Sequence, residues 1–211
     1  MQLTPENYIE SLYAEDPELK NVIQGIEQKG MPQISISPGY GRLLSLLVKI
    51  SGAKSVLEIG ALGGYSGICL ARGLPRNGRL LSLELQPEYA EFAQKNLAAA
   101  GFGDKVEYRI GDAKETLEQL KTEGRRFDLF FIDANKSAYP YYLETAIQLA
   151  NSGAVIVGDN TMQRGKVYDE AENSAATRGM REFNRIIAQD PRLESTILPA
   201  YDGLAIARVR E

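Results

Sequence analysis

The stretch FDLFFIDANK, Phe127 to Lys136, carries an apolar run onto Asp133, and AVIVGDN, Ala154 to Asn160, does the same onto Asp159 and Asn160. A strand whose neighbours are also apolar is buried on both faces, so its first charged residue marks where the chain leaves a parallel sheet. In open α/β sheets ligands bind at that edge. Carboxylates converging there without a cation would repel and raise each other's pKa, a conflict that a divalent metal relieves. Asp133, Asp159 and the Asn160 amide offer oxygen alone, a donor set suited to Mg²⁺, Ca²⁺ or Mn²⁺ rather than zinc, with positions left for water or substrate oxygens. Read alone, the same residues could cap two separate helices or turns.

Lys136 follows Asp133 by three residues, where the chain turns over the sheet edge. A free lysine titrates near ~10.4, but a neighbouring cation and partial burial bring such an amine into the range of a general base; the plain alternative is a solvated surface charge. The chain has no histidine, which removes the usual general base, the commonest zinc ligand and any Ser-His or Cys-His nucleophile.

A second constellation precedes the acids. VLEIGALGGYSG sets Gly60, Gly63, Gly64 and Gly67 between a strand and a helix, where the missing side chains let a ligand approach backbone N–H groups at a helix start; a tight βα turn needs no more than that either. In a dinucleotide fingerprint G-x-G-x-x-G the second glycine would stand at Leu62, so the match is imperfect. Glu84 closes the next strand, RLLSLE, 24 residues past Gly60, where a carboxylate can accept both hydroxyls of a ribose. A third strand ends in Gly111-Asp112-Ala113, beside the place of an adenine ring, although Gly-Asp is also ordinary turn chemistry.

The elements that must position these residues are legible as an alternation. From Ser55 onward SVLEI, RLLSL, VEYRI, FDLFFI and AVIVG alternate with helical patterns, so repeated βα units build a parallel, doubly wound sheet. QPEYAEFAQKNLAAAG reads as a helix with Pro87 in its first turn and Gly101 as its stop, and DAKETLEQLKTEG and YPYYLETAIQLANSG behave similarly. In LESTILPAYDGLAIARVRE two strands flank Pro199 and Asp202-Gly203 with no room for a crossover helix, so they form an antiparallel hairpin. Before Ser55, helices are expected at Pro17 to Lys29 and Pro38 to Ile50. The expectation is one domain over 1–211, with an N-terminal helical extension, 1–54, and an α/β core, 55–211.

Of the 211 residues 25% are charged and the net charge is -4, which gives no electrostatic reason to seek nucleic acid or an acidic membrane. The partners expected are small molecules. No basic-then-apolar leader opens the chain and no apolar run approaches the ~20 residues of a membrane span. The single cysteine, Cys69, lies in an apolar helical stretch and reads as a buried small hydrophobe. A reducing cytoplasm suits such a chain.

In this order and spacing, VLEIGALGGYS, LSLE, GDA, FIDANK and GDN resemble the cation-dependent O-methyltransferases related to catechol and caffeoyl-CoA O-methyltransferases, over nearly the full chain. The resemblance implies a Rossmann-like class I methyltransferase: a mostly parallel seven-stranded sheet, an antiparallel C-terminal hairpin and helices on both faces. It further implies that Gly60, Leu62 and Ser66 line the methionine end of S-adenosyl-L-methionine, that Glu84 holds the ribose, that Asp112 and Ala113 flank adenine, and that Ile36 closes the pocket. Asp133, Asp159 and Asn160 would bind Mg²⁺ or a similar cation, Asp133 also lying near the cofactor, and Lys136 would take the proton from a hydroxyl of a catechol-like phenol of caffeoyl or flavonoid type. Relatives of this kind are commonly homodimers. The chain differs from the pattern in having Asn135 where Asp is frequent and in lacking, around Thr196, an acid that some members carry near the last hairpin. Two other functions compete: a metal-independent methyltransferase on another acceptor, and a non-catalytic S-adenosylmethionine-binding module whose acids cap turns. A nicotinamide-dependent oxidoreductase is disfavoured by Leu62 and the terminal hairpin.

Overall fold

Apolar residues fill the four strands SVLEI, RLLSLE, FDLFFI and AVIVG so evenly that each needs cover on both faces, and the chain supplies it by alternating strand with helix. A computed structural model describes residues 4–211. Its strands are β1 (Ser55–Ile59), β2 (Arg79–Glu84), β3 (Val106–Ile110), β4 (Phe127–Ile132), β5 (Ala150–Asp159), β6 (Leu193–Leu198) and β7 (Leu204–Val209). They form one sheet in the order β3-β2-β1-β4-β5-β7-β6. The pairs from β3 through β5 are parallel, while β7 runs antiparallel to both β5 and β6. The architecture is thus the mostly parallel seven-stranded sheet with a C-terminal hairpin that the sequence led us to expect.

Helices α2 (Pro17–Gln28), α3 (Pro38–Ser51), α4 (Tyr65–Gly73) and α5 (Pro87–Ala99) cover one face, and α6 (Ala113–Thr122), α7 (Tyr139–Leu149) and α8 (Ala175–Gln189) the other. Two apolar cores result. Leu44, Ile68, Val56 and Phe131 belong to the first; Leu57, Ile59, Phe130, Leu143 and Phe183 belong to the second. The side-chain alternation of β1 and β4 divides their residues between the two faces.

Three sequence expectations need correction. A helix α1, Pro5–Ser11, precedes the two that were expected; it buries no side chain, so it carries no apolar stripe to betray it. The helix expected to run through ANSG stops at Leu149, because β5 begins at Ala150 and pairs with Phe127. The segment after Asn160, to which no element was assigned, contains a short 3₁₀ turn at Gln163–Tyr168 and then α8, whose Thr177, Met180, Phe183 and Ile187 are buried at helical spacing.

The order of strands reverses between β1 and β4: from β1 the chain moves outward through β2 and β3, then returns to the other side of β1. This is the topological switch point, where two connections diverge and leave a crevice at the carboxyl ends of the strands. Gly60 follows β1 there and Asp133 follows β4.

Candidate active site

The turn from β1 into α4 is held in left-handed backbone at Gly60 (φ 100), Leu62 (φ 47) and Gly64 (φ 87). A side chain at Gly60 would strike the backbone carbonyl of Asp133, so conformation and close approach both demand glycine. Leu62 takes the conformation that a glycine would take in the dinucleotide fingerprint. Its strain, ~1–3 kcal/mol, is offset by a charged acceptor: the N–H groups of Leu62 and Ala61 donate to Glu84 Oε2 at 2.9 and 3.1 Å. Gln86 N–H donates to Oε1 at 3.0 Å. Glu84 therefore braces the glycine turn as well as facing the crevice, and its remaining lone-pair capacity is what a ribose hydroxyl can use.

A cavity of about 300 Å³ opens over this turn, and Ile36, Gly60, Leu62, Ser66, Glu84, Asp112, Ala113 and Asp133 all line it. Every residue assigned from sequence to the cofactor thus meets in one space. Ile36 arrives from the segment before α3, and Asp112 caps α6 by accepting from Lys114 N–H at 2.7 Å. Beneath the turn lies Glu58, which the sequence reading passed over. It is wholly buried in β1, and Ser66 and Ser82 each donate a hydroxyl to its carboxylate at 2.5 Å. Burial pushes its pKa up to about 7 against the lowering effect of the two serines. The signal that could have found it is an acid inside the apolar run SVLEI.

At the edge of the cavity Asp133, which lines it, and Asp159 stand at the ends of adjacent strands. Asp159 is 4% exposed, and its Oδ1 accepts from Asn160 N–H at 2.8 Å. Its pKa is raised, chiefly by burial and next by the charge of Asp133. Asn160 has left-handed backbone, φ 58. Lys136 Nζ donates to Asp133 Oδ1 at 2.6 Å and to the Tyr139 hydroxyl at 2.7 Å, so the lysine, the acids and the cavity are joined through Asp133. The arrangement fits a divalent cation: a buried carboxylate, a second one adjacent to it, and oxygen donors only. Among the described residues no three His, Cys, Asp or Glu side chains cluster as a ligand set, so the Asn160 amide is needed beside the acid pair.

The remaining candidates divide plainly. Asn135, where an acid is frequent in the resembled family, caps the turn that carries Lys136 by accepting from Ser137 N–H at 3.2 Å. Thr196 pairs with Ile206 within edge strand β6. An acid at the last hairpin is present, but it is Asp202; its charge adds to the upward shift of Asp159 while its carboxylate accepts from Arg164 N–H. Cys69 is buried and its thiol pKa is pushed up to about 12, which removes it as a nucleophile. Of the three tyrosines of α7, Tyr142 lines the cavity, Tyr141 bonds Glu118, and Tyr139 is the second residue that the sequence reading undervalued.

Comparison with known proteins identifies the family. A family model described as O-methyltransferase matches residues 9–210. A catechol O-methyltransferase of Niastella koreensis is 42% identical over 97% of this chain and 96% of its own. Caffeoyl-CoA O-methyltransferase 1 of Eucalyptus globulus is 34% identical over 94% of this chain and 84% of its own. The crystal structure of the O-methyltransferase from Bacillus cereus in complex with SAH superposes with a TM-score of 0.91 at 40% identity, covering 97% of this chain and 96% of that one. Matched by the family model over residues 9–210 and by relatives 34% and 42% identical over nearly its whole length, the chain belongs to the O-methyltransferase family.

Proposed function

We propose that this O-methyltransferase transfers a methyl group from S-adenosyl-L-methionine to a hydroxyl of a catechol-like small molecule, assisted by a divalent cation. The relatives' names support the donor and the phenolic acceptor class. The observation that carries the mechanism is the Lys136 amine at 2.6 Å from Asp133, an acid that lines the cavity and also closes the acid edge.

Gly60, Leu62 and Ser66 hold the methionine end of the donor, with Glu58 orienting Ser66 from below; Glu84 accepts from the ribose, Asp112 and Ala113 flank adenine, and Ile36 closes the pocket. Asp133, Asp159 and Asn160 would hold Mg²⁺, Ca²⁺ or Mn²⁺. The cation, when bound, supplies Lewis acidity that lowers a phenol's pKa from about 10 toward neutrality. Lys136 accepts the hydroxyl proton at Nζ. The donor supplies an electrophilic sulfonium methyl, so the chain's main task is to hold oxygen and carbon in line, an orientation effect of ~7 to 11 kcal/mol.

The exposed apolar side chains of α1 and α3, Tyr8, Ile9, Leu46 and Ile50, favour association of two copies, which sedimentation will test. None of the helices among the described residues is long and apolar enough to cross a membrane. A crystal soaked with S-adenosylhomocysteine, Mg²⁺ and catechol should place Asp133, Asp159 and Asn160 oxygens about 2.0–2.1 Å from the metal. Metal bound elsewhere would overturn the site.

A further inference from the structure

A general base must present a lone pair in a fixed direction, and a lysine side chain rotates freely about its last bonds unless its N–H groups are occupied. Tyr139 is the first residue of α7 and is wholly buried. Its hydroxyl lies 3.0 Å from Ile132 O and 3.1 Å from Asp159 O, the carbonyls that end β4 and β5. Having one proton, which goes to those carbonyls, the hydroxyl can meet Lys136 Nζ at 2.7 Å only as an acceptor. The ring cannot swing away, because Phe183 of α8 packs edge-on at 5.1 Å. The backbone of Lys136 is fixed as well: Gly179 of α8 lies so close that an added Cβ would stand 2.6 Å from Lys136 O and 2.8 Å from Ser137 Cα.

Lys136 Nζ donates on two sides, to Asp133 Oδ1 and to the Tyr139 hydroxyl. We propose that Tyr139 is the positioning residue of the base: by accepting an N–H of Lys136 at a hydroxyl anchored on two strand ends, it fixes where Nζ stands relative to the acceptor. The proposal rests on Lys136 being the base. In the step it serves, the acceptor's O–H proton moves to Nζ, the oxygen forms its bond to the methyl carbon, and the carbon–sulfur bond breaks with its electron pair returning to sulfur.

A double-mutant cycle tests it on the full chain with donor, Mg²⁺ and catechol. Tyr139→Phe should lower kcat by about 10- to 100-fold, with the Kd for S-adenosylhomocysteine and the acceptor KM within about twofold of the parent. In a Lys136→Ala background the same change should have no further effect, since the hydroxyl acts through the amine. An equal loss in both backgrounds, or none in either, would overturn the positioning role while leaving Lys136 as base. Lys136→Ala as active as the parent would overturn the base and this proposal together. If Tyr139→Phe no longer melts cooperatively or binds S-adenosylhomocysteine, Gly179→Ala replaces it. That change displaces the same lysine from the side of α8 and should lower kcat only where Lys136 is present; a loss undiminished in Lys136→Ala would contradict the proposal.

Discussion

A carboxyl group buried without a cation prefers its neutral form, and Glu58 is such a group, with two serine hydroxyls as its only side-chain partners among the described residues. Its pKa is raised from 4.5 to about 7 in the fold, so between those values the folded chain keeps a proton that the unfolded chain releases. The stabilisation is complete below the unfolded value and is lost as pH rises through the folded one, an effect of about 3 kcal/mol. The ligand-free protein should therefore melt at lower temperature as pH rises from about 5 to about 8, and Glu58→Gln should flatten that slope. Asp159 is shifted in the same direction, so the flattening is partial. A Glu58→Gln slope as steep as the parent's would mean that Glu58 does not titrate in this range.

At the scale of elements, what stands out is a helix attached by polar contacts alone. α1 buries no side chain, yet Glu10 accepts from the Tyr201 hydroxyl at 2.5 Å and from Arg42 at 2.9 Å, and the Arg42 guanidinium lies 3.8 Å over the Tyr13 ring. Tyr201 makes its contact from left-handed backbone, φ 52, in the β6–β7 turn, a strained position for an aromatic residue. A hydrogen bond to a charged group contributes ~1.5–3 kcal/mol. Tyr201→Phe should thus raise amide exchange across residues 5–11 while leaving β1 and β4 protected; unchanged exchange in α1 would show that Tyr201 does not hold it. This contact was not readable from sequence, since Glu10 and Tyr201 lie 191 residues apart. The strands, by contrast, declared themselves because each apolar run ended where burial ended. The helix boundaries near β5 and α8 did not, because ANSG and the polar stretch before Ala175 carry turn residues that a strand start or a helix cap uses equally.

For the whole molecule, the order of strands explains why residues far apart in sequence share a site. Reversal between β1 and β4 opens the crevice that receives Gly60, Glu84 and Asp112 from one half and Asp133 from the other, with Lys136 bonded to Asp133 and Asp159 ending the adjacent strand. The eight residues that the resemblance places on the cofactor side line one cavity; Gly60, Glu84 and Asp133 reach it because strand ends in a doubly wound sheet converge by topology. Glu58 and Tyr139 were not singled out, because a buried acid in mid-strand and a tyrosine in an apolar helix look like packing until the serine hydroxyls of the one and the lysine and strand-end carbonyls of the other are placed. The central claim is that the acid edge and the cavity act together, cation-assisted deprotonation on one side and methyl donation on the other. Its most direct test is transfer of labelled methyl from S-adenosylmethionine to catechol by protein stripped with EDTA, before and after Mg²⁺ is added back. Loss of transfer on stripping and recovery with Mg²⁺ is the predicted result; full activity in EDTA would contradict it.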